Sequence, residues 1–189
     1  MSDVKVMFLS NAVLSNDSSS TSEVAIATSF QLQDSEQSPV LAVGQLLRIT
    51  ARGLIIENHQ QATQPTPQSI RLYFTSPSSS KVLLAEIVRT PTESQESPEM
   101  FELSLIVSPT SMIDSTNATC SVSSLFNCGI GKPITGSNLT ATLAQTVDCD
   151  VSTPQVDIYS QYDFSPDYDN ASSIQVFQYL VERLGEPTS

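Results

Sequence analysis

The 189-residue chain contains no tryptophan, a single histidine (His59), three cysteines and six glycines. Each scarcity excludes something. One histidine cannot make a His-based zinc site, and the three scattered cysteines supply no ligand spacing to complete one. Any Ser–His or Cys–His catalytic unit has to use His59. That residue lies in the polar loop ENHQQATQPTPQ, and no G-x-S-x-G elbow accompanies it; it reads as a surface histidine. Basic residues are few: 8 Lys and Arg against 20 Asp and Glu, a net charge of -12. Nucleic-acid affinity comes mainly from neutralising phosphates, and anionic membranes attract basic segments, so neither partner is expected. No stretch approaches the roughly 20 apolar residues of a membrane helix. The odd cysteine count (Cys120, Cys128, Cys149) argues against a finished disulfide framework. Cys120 and Cys128 can pair across a hairpin if oxidised; small, packed, reduced residues is the plainer reading.

What the chain does contain is a core. Hydrophobic residues make up 39% and charged residues 15%, enough for one folded domain with an arm. VKVMFLSNAVL (Val4–Leu14) has an apolar run too short and too broken for a signal peptide. It reads as an N-terminal arm or strand, made in a cytoplasm. SNDSSSTS follows as a low-complexity linker. From Glu23 onward, strand and turn alternate. QLLRITARGLII (45–56) alternates apolar with basic or small residues. SIRLYFT sets Ile70, Leu72 and Phe74 against Arg71 and Tyr73. MFELSLIVS groups Phe101, Leu103, Leu105 and Val107. ATCSVSSLF (118–126) is a weaker strand, and NLTATLAQTV (138–147) reads as one more. Strands at this spacing, separated by Pro, Ser and Gly turns, predict an all-β fold: a jelly-roll β-sandwich of about eight antiparallel strands. The domain limits expected are an arm at 1–22, a sandwich at 23–184 and a tail at 185–189.

The last two strands are rich in scarce aromatics. QVDIYSQYDF and SIQVFQYLVERL read as a closing hairpin around the acidic turn Ser165–Asn170. Strict alternation puts Val156, Ile158, Tyr162 and Phe164 on one face and Tyr159 on the other. It also sets Ile174, Val176 and Leu180 against Phe177, Tyr179 and Val181. Outward Tyr159, Phe177 and Tyr179 fit a subunit interface, where Tyr and Phe are enriched.

The motifs offer little chemistry. GIGK (129–132) lacks the spacing of a phosphate loop, and Pro133 stands where the metal-binding hydroxyl belongs. Asp148 and Asp150 flank Cys149; Asp163, Asp167 and Asp169 cluster near Asn170. Such loops can hold Ca²⁺ but have no EF-hand spacing, and acidic turns are usually solvated. Paired carboxylates also serve glycoside hydrolysis, but its aromatic-lined groove is poorly served without tryptophan. No catalytic residue, metal site or cofactor is expected.

Taken in order, VLAVGQLLRITARGLI, SIRLYF, KVLLAEIV, FELSLIV and VDIYSQYDFSPDYDNASSIQVFQYLVERL resemble a β-jelly-roll structural module of tailed-phage virions. The resemblance spans about Val40–Leu184 and departs between Ala118 and Pro154, the region holding all three cysteines. It implies a trimeric protein on the virion surface, of capsid-decoration (cement) or fibre-head type. The expectation that follows is a non-enzymatic cement protein that binds the major capsid protein from outside as a homotrimer. The alternative is a tail-fibre module recognising a host-surface glycan. The contact residues expected are Val4, Val6, Phe8 and Leu9 in the arm, with Tyr159, Phe177 and Tyr179.

Overall fold

Period-two alternation of apolar and polar residues needs a partner layer for each apolar face, and the chain supplies two sheets that cover one another. In the computed structural model, residues 4–12, 14–17, 22–29, 31–56, 68–76, 79–91, 99–128, 137–141, 144–162 and 173–186 are described. They form twelve strands: β1 (Val4–Ser10), β2 (Leu14–Asp17), β3 (Val24–Thr28), β4 (Leu46–Ile56), β5 (Gln68–Ser76), β6 (Ser79–Pro91), β7 (Glu99–Met112), β8 (Asn117–Cys128), β9 (Ser137–Ala141), β10 (Ala144–Asp150), β11 (Gln155–Tyr162) and β12 (Ser173–Leu184). One sheet has seven strands, in the order β1-β12-β4-β7-β8-β10, with β2 also pairing β12; the other has five, β3-β11-β5-β6-β9. All pairings are antiparallel. The protein is an all-β sandwich, as its alternation predicts.

The inward faces are the apolar sets. Leu47, Ile49, Ala51 and Ile55 of β4 and Phe101, Leu103, Leu105 and Val107 of β7 are buried in one layer. Ile70, Leu72 and Phe74 of β5 and Val156, Ile158 and Tyr162 of β11 are buried in the other. Gly53 shows how tightly β4 is flanked by β12 and β7 within its own sheet. A Cβ there would lie 2.0 Å from the Gln175 carbonyl oxygen and 2.4 Å from the Phe101 ring. The glycine of RITARG is therefore a packing requirement of β4, since any side chain forces backbone or ring to move.

Four expectations are decided or changed. Of the two readings of the N-terminal segment, arm or strand, residues 4–10 and 14–17 take the strand. β1 pairs the second half of β12 (Val4 with Leu184 through Ser10 with Tyr179), and β2 pairs its first half. The arm is thus an interrupted edge strand of the seven-stranded sheet. Second, β11 and β12 are not a hairpin: they belong to different sheets, and the acidic turn between them lies outside the described residues. Third, NLTATLAQTV is divided, β9 extending the five-stranded sheet and β10 the seven-stranded one. The region where the resemblance departs therefore lengthens both sheets at one side. Fourth, Cys120 and Cys128 lie on the same strand, eight residues apart, which at about 3.4 Å per residue is far beyond a disulfide. None of the three cysteines is in a disulfide.

Candidate interaction surfaces

Ladder partners project from the same side of a sheet, so the registers assign faces. On β12 a bulge falls between Val176 and Gln178. Phe177 is the extra residue, and it shifts the alternation by one position. Ile174, Val176, Tyr179 and Val181 all become inward and buried, while Leu180 turns outward and is half-buried. Tyr179, expected on the outside, is 2% exposed. Its hydroxyl donates to the Val156 carbonyl of β11 at 3.0 Å, joining the two sheets through the core. Burial pushes the Tyr179 phenol well above its ordinary pKa.

The seven expected contact residues therefore separate. Val4, Val6 and Leu9 pair Leu184, Glu182 and Leu180 on the outer face. They are 53%, 57% and 54% exposed, on an edge strand. A bulge between Val6 and Phe8 turns Phe8 inward against the core, its ring 5.6 Å from that of Tyr179. Phe177 is half-buried at its bulge.

Tyr159 is on the outer face of the opposite sheet, as its alternation predicts. There it meets Tyr73 edge-on, ring centroids 5.5 Å apart, and Lys81 Nζ stands 3.4 Å over its ring. Glu23 holds this group together. It accepts from Tyr73 Oη at 2.8 Å and Lys81 Nζ at 3.0 Å, and Arg71 Nη1 lies 3.3 Å away. Arg71 Nε also donates to Glu86 at 2.7 Å. Burial alone would raise the Glu23 carboxyl; the bonds from Tyr73 and Lys81 outweigh it and hold the carboxyl below its usual value. The Tyr73 phenol is pushed up to about 12, by burial first and then by the neighbouring Glu23 carboxylate. These groups satisfy one another, and Lys81 covers the ring that Tyr159 would offer a partner.

Inward from the β1 edge, the outer face of the seven-stranded sheet becomes polar. Arg48, Thr50, Arg52, Glu102, Ser104, Gln178, Leu180 and Glu182 line a shallow cleft of about 360 Å³. Arg48 Nε donates to Glu182 at 2.8 Å, and Arg52 Nε donates to Glu102 at 2.8 Å, while Arg52 Nη1 reaches Gln178 at 3.2 Å. Beyond the cleft, Met100, Ile106 and Leu125 are 41%, 38% and 58% exposed.

The edge strand β1 is anchored by a carboxylate that sequence reasoning does not single out. Asp34, in the β3–β4 connection, has a fully buried side chain. Lys5 Nζ of β1 lies 2.7 Å from its Oδ1, and Arg183 Nη2 of β12 lies 2.6 Å from its Oδ2. The Lys5 bond, the Glu36 backbone N–H and Arg183 hold the Asp34 carboxyl down to about 2, against the effect of burial. Arg183 Nη1 also donates to the Val40 carbonyl at 2.9 Å. No local motif marks this site, because its cations arrive from the two ends of the chain.

The remaining acidic candidates are ordinary. Asp148 accepts from Thr119 Oγ1 at 2.7 Å, and Asp150 from Ser76 Oγ at 2.6 Å and the Ser152 N–H at 2.8 Å. Among the described residues, no three His, Cys, Asp or Glu side chains are grouped to hold a metal ion. His59, GIGK and the acidic turn 163–170 lie outside the described residues.

No family model matches the chain. No curated protein matches it. Among solved structures, it is similar to a fructofuranosidase from Schwanniomyces occidentalis, at 11% identity and a TM-score of 0.34, over 93% of this chain and 33% of that one. It is also similar to alginate lyase A1-II′, at 8% identity and a TM-score of 0.32, over 92% of this chain and 79% of that one. The chain thus spans about a third of the fructofuranosidase. Likeness this distant carries no argument about function.

Proposed function

We propose that this chain is a structural protein that assembles through the outer face of its seven-stranded sheet, as a homotrimer with β1 at the contact. The observation that carries this reading is the apolar row Val4, Val6 and Leu9, each more than half exposed on an edge strand. Edge strands present unpaired N–H and C=O groups, and an uncovered apolar edge invites association. Here the edge carries no outward charge of its own, and Lys5, the one basic residue of β1, is engaged by Asp34. A neighbouring copy is the simplest cover, with the row of each chain set against the next about a closed three-fold axis.

The resemblance of the sequence to phage structural modules gives this proposal its particular form, a capsid-decoration protein bound to the major capsid protein on the virion surface. Strand order supports the jelly-roll part of that reading. With β2 and the β8–β10 elaboration set aside, the sheets run β1-β12-β4-β7 and β3-β11-β5-β6, so early and late strands alternate as two interlocked Greek keys require. Many copies, each burying apolar surface, would reinforce a shell without chemical catalysis. Immunogold electron microscopy of purified particles tests this form: gold spread evenly over the head is expected, and gold confined to the tail, or absent, would overturn it.

A second reading, a fibre module that binds a host-surface glycan, is favoured by the polar cleft between Arg48 and Glu102. Sugars are held by such Arg, Glu and Gln groups, but here they already pair with each other. Specific glycan-array binding that is lost on Arg52→Ala would favour this reading over the first.

A further inference from the structure

Strand β10 closes one side of the seven-stranded sheet, paired only through β8 within that sheet. Its register places Val147 opposite Cys120 and Cys149 opposite Ala118. The two cysteines are therefore diagonal neighbours on the same, inward face. Cys120 is 0% and Cys149 3% exposed, and their sulfur atoms are 3.5 Å apart. That is van der Waals contact; because diagonal positions lie farther apart than directly opposite ones, closing the bond takes a small shift of β10 along β8 as well as side-chain rotation. Cys128 is excluded from this pair by its place at the far end of β8, where its sulfur lies 3.3 Å from Glu99 Oε2.

We propose that Cys120 and Cys149 are an oxidisable dithiol whose disulfide staples edge strand β10 to β8. The oxidant is a peroxide. A Cys149 thiolate attacks one peroxide oxygen, the O–O bond breaks, and a sulfenic acid and hydroxide form; the hydroxide takes up a proton to give water. The Cys120 sulfur then attacks the sulfenic sulfur, the S–S bond forms, and the S–O bond breaks with loss of a second water. Two thiols and one peroxide become one disulfide and two waters.

The closed sheet restrains this reaction. The hydrogen bond to Cys120 and burial both raise the Cys149 thiol, and the adjacent Asp148 and Asp150 carboxylates add to the effect. The thiolate therefore forms when β10 frays from the edge, which is the least costly opening such a strand can make. Once formed, the bond closes the chain between residues 29 apart in sequence, including all of β9. A loop of this size raises the thermal midpoint by about 10 °C.

The test uses the full chain, treated with hydrogen peroxide or with a reductant. Intact-mass and peptide mapping are expected to show the loss of two hydrogen atoms and a Cys120–Cys149 cross-link. The midpoint is expected to rise in the oxidised protein and return on reduction. Cys128→Ala should behave like the native chain. Cys149→Ala and Cys120→Ala should each abolish both the cross-link and the rise, and a comparable midpoint before oxidation identifies a folded variant. Sub-denaturing urea should accelerate the reaction. The proposal is overturned if peroxide yields only a Cys128 product, only links between chains, or no cross-link in protein whose β10 has been opened by urea.

Discussion

Replacing Tyr179 by alanine is expected to destabilise the fold by about 3–5 kcal/mol, the cost of truncating a fully buried large aromatic. Its ring lies between β12 and the core beneath, against Phe8, and its hydroxyl joins the two sheets at Val156. Tyr179→Phe separates the parts. It keeps the ring but removes the hydrogen bond, and should cost about 1–2 kcal/mol, because the Val156 carbonyl stays buried with one partner fewer. Urea denaturation followed by circular dichroism checks both. A Tyr179→Ala protein as stable as the native chain would return Tyr179 to the surface, where strict alternation puts it.

Asp34→Asn should be about as damaging, at about 3–5 kcal/mol, because it removes the charge that neutralises Arg183, only 10% exposed at its side chain. The effect should be largest where β1 meets β12, since Lys5 loses its partner as well. The same carboxyl gives a pH signature. Its folded pKa of about 2 is below the ordinary carboxyl value of 3.8, so the folded state binds the proton less readily than the unfolded chain. Its contribution is therefore complete above about pH 4 and is lost as pH falls toward 2. Asp114 is also held low, through Asn117 and the Thr116 N–H, so the native chain alone does not isolate Asp34. The difference between native and Asp34→Asn stability does: it should be constant at neutral pH and narrow between pH 4 and 2. A difference that is unchanged on acidification, or absent throughout, would contradict the buried ion cluster.

These two residues also mark where reading the sequence succeeds and where it stops. Alternation located β4, β5 and β11 almost to the residue and the first two thirds of β7, which runs four residues beyond the expected end, because each has one apolar side. It failed at Phe177, where an extra residue reverses every assignment that follows, and a bulge leaves no mark in an aromatic, β-branched run. It took β11 and β12 for a hairpin because proximity in sequence suggests pairing, whereas a sandwich repeatedly passes the chain from one sheet to the other. It had no means of singling out Asp34, since Lys5 and Arg183 reach it only after the two ends of the chain are side by side. The Cys120–Cys149 contact was hidden likewise: pairing of β8 with β10 sets it, not spacing along the chain. By contrast, the apolar character of Val4, Val6 and Leu9 is plain in the sequence, which reads the segment as an arm or a strand; only the pairing of β1 with β12 decides for the strand and sets these residues on its outer face.

The assembly proposal rests on that edge, and the most direct measurement is solution mass, by sedimentation equilibrium or light scattering, of the native chain and of a Val6→Asp, Leu9→Asp double variant. Both substitutions replace side chains more than half exposed, so the thermal midpoint should change little beyond what assembly contributes. The account predicts three times the 20.4 kDa chain mass for the native protein and a single chain for the variant. A native protein that stays monomeric at high concentration, or a variant that remains trimeric, would contradict it.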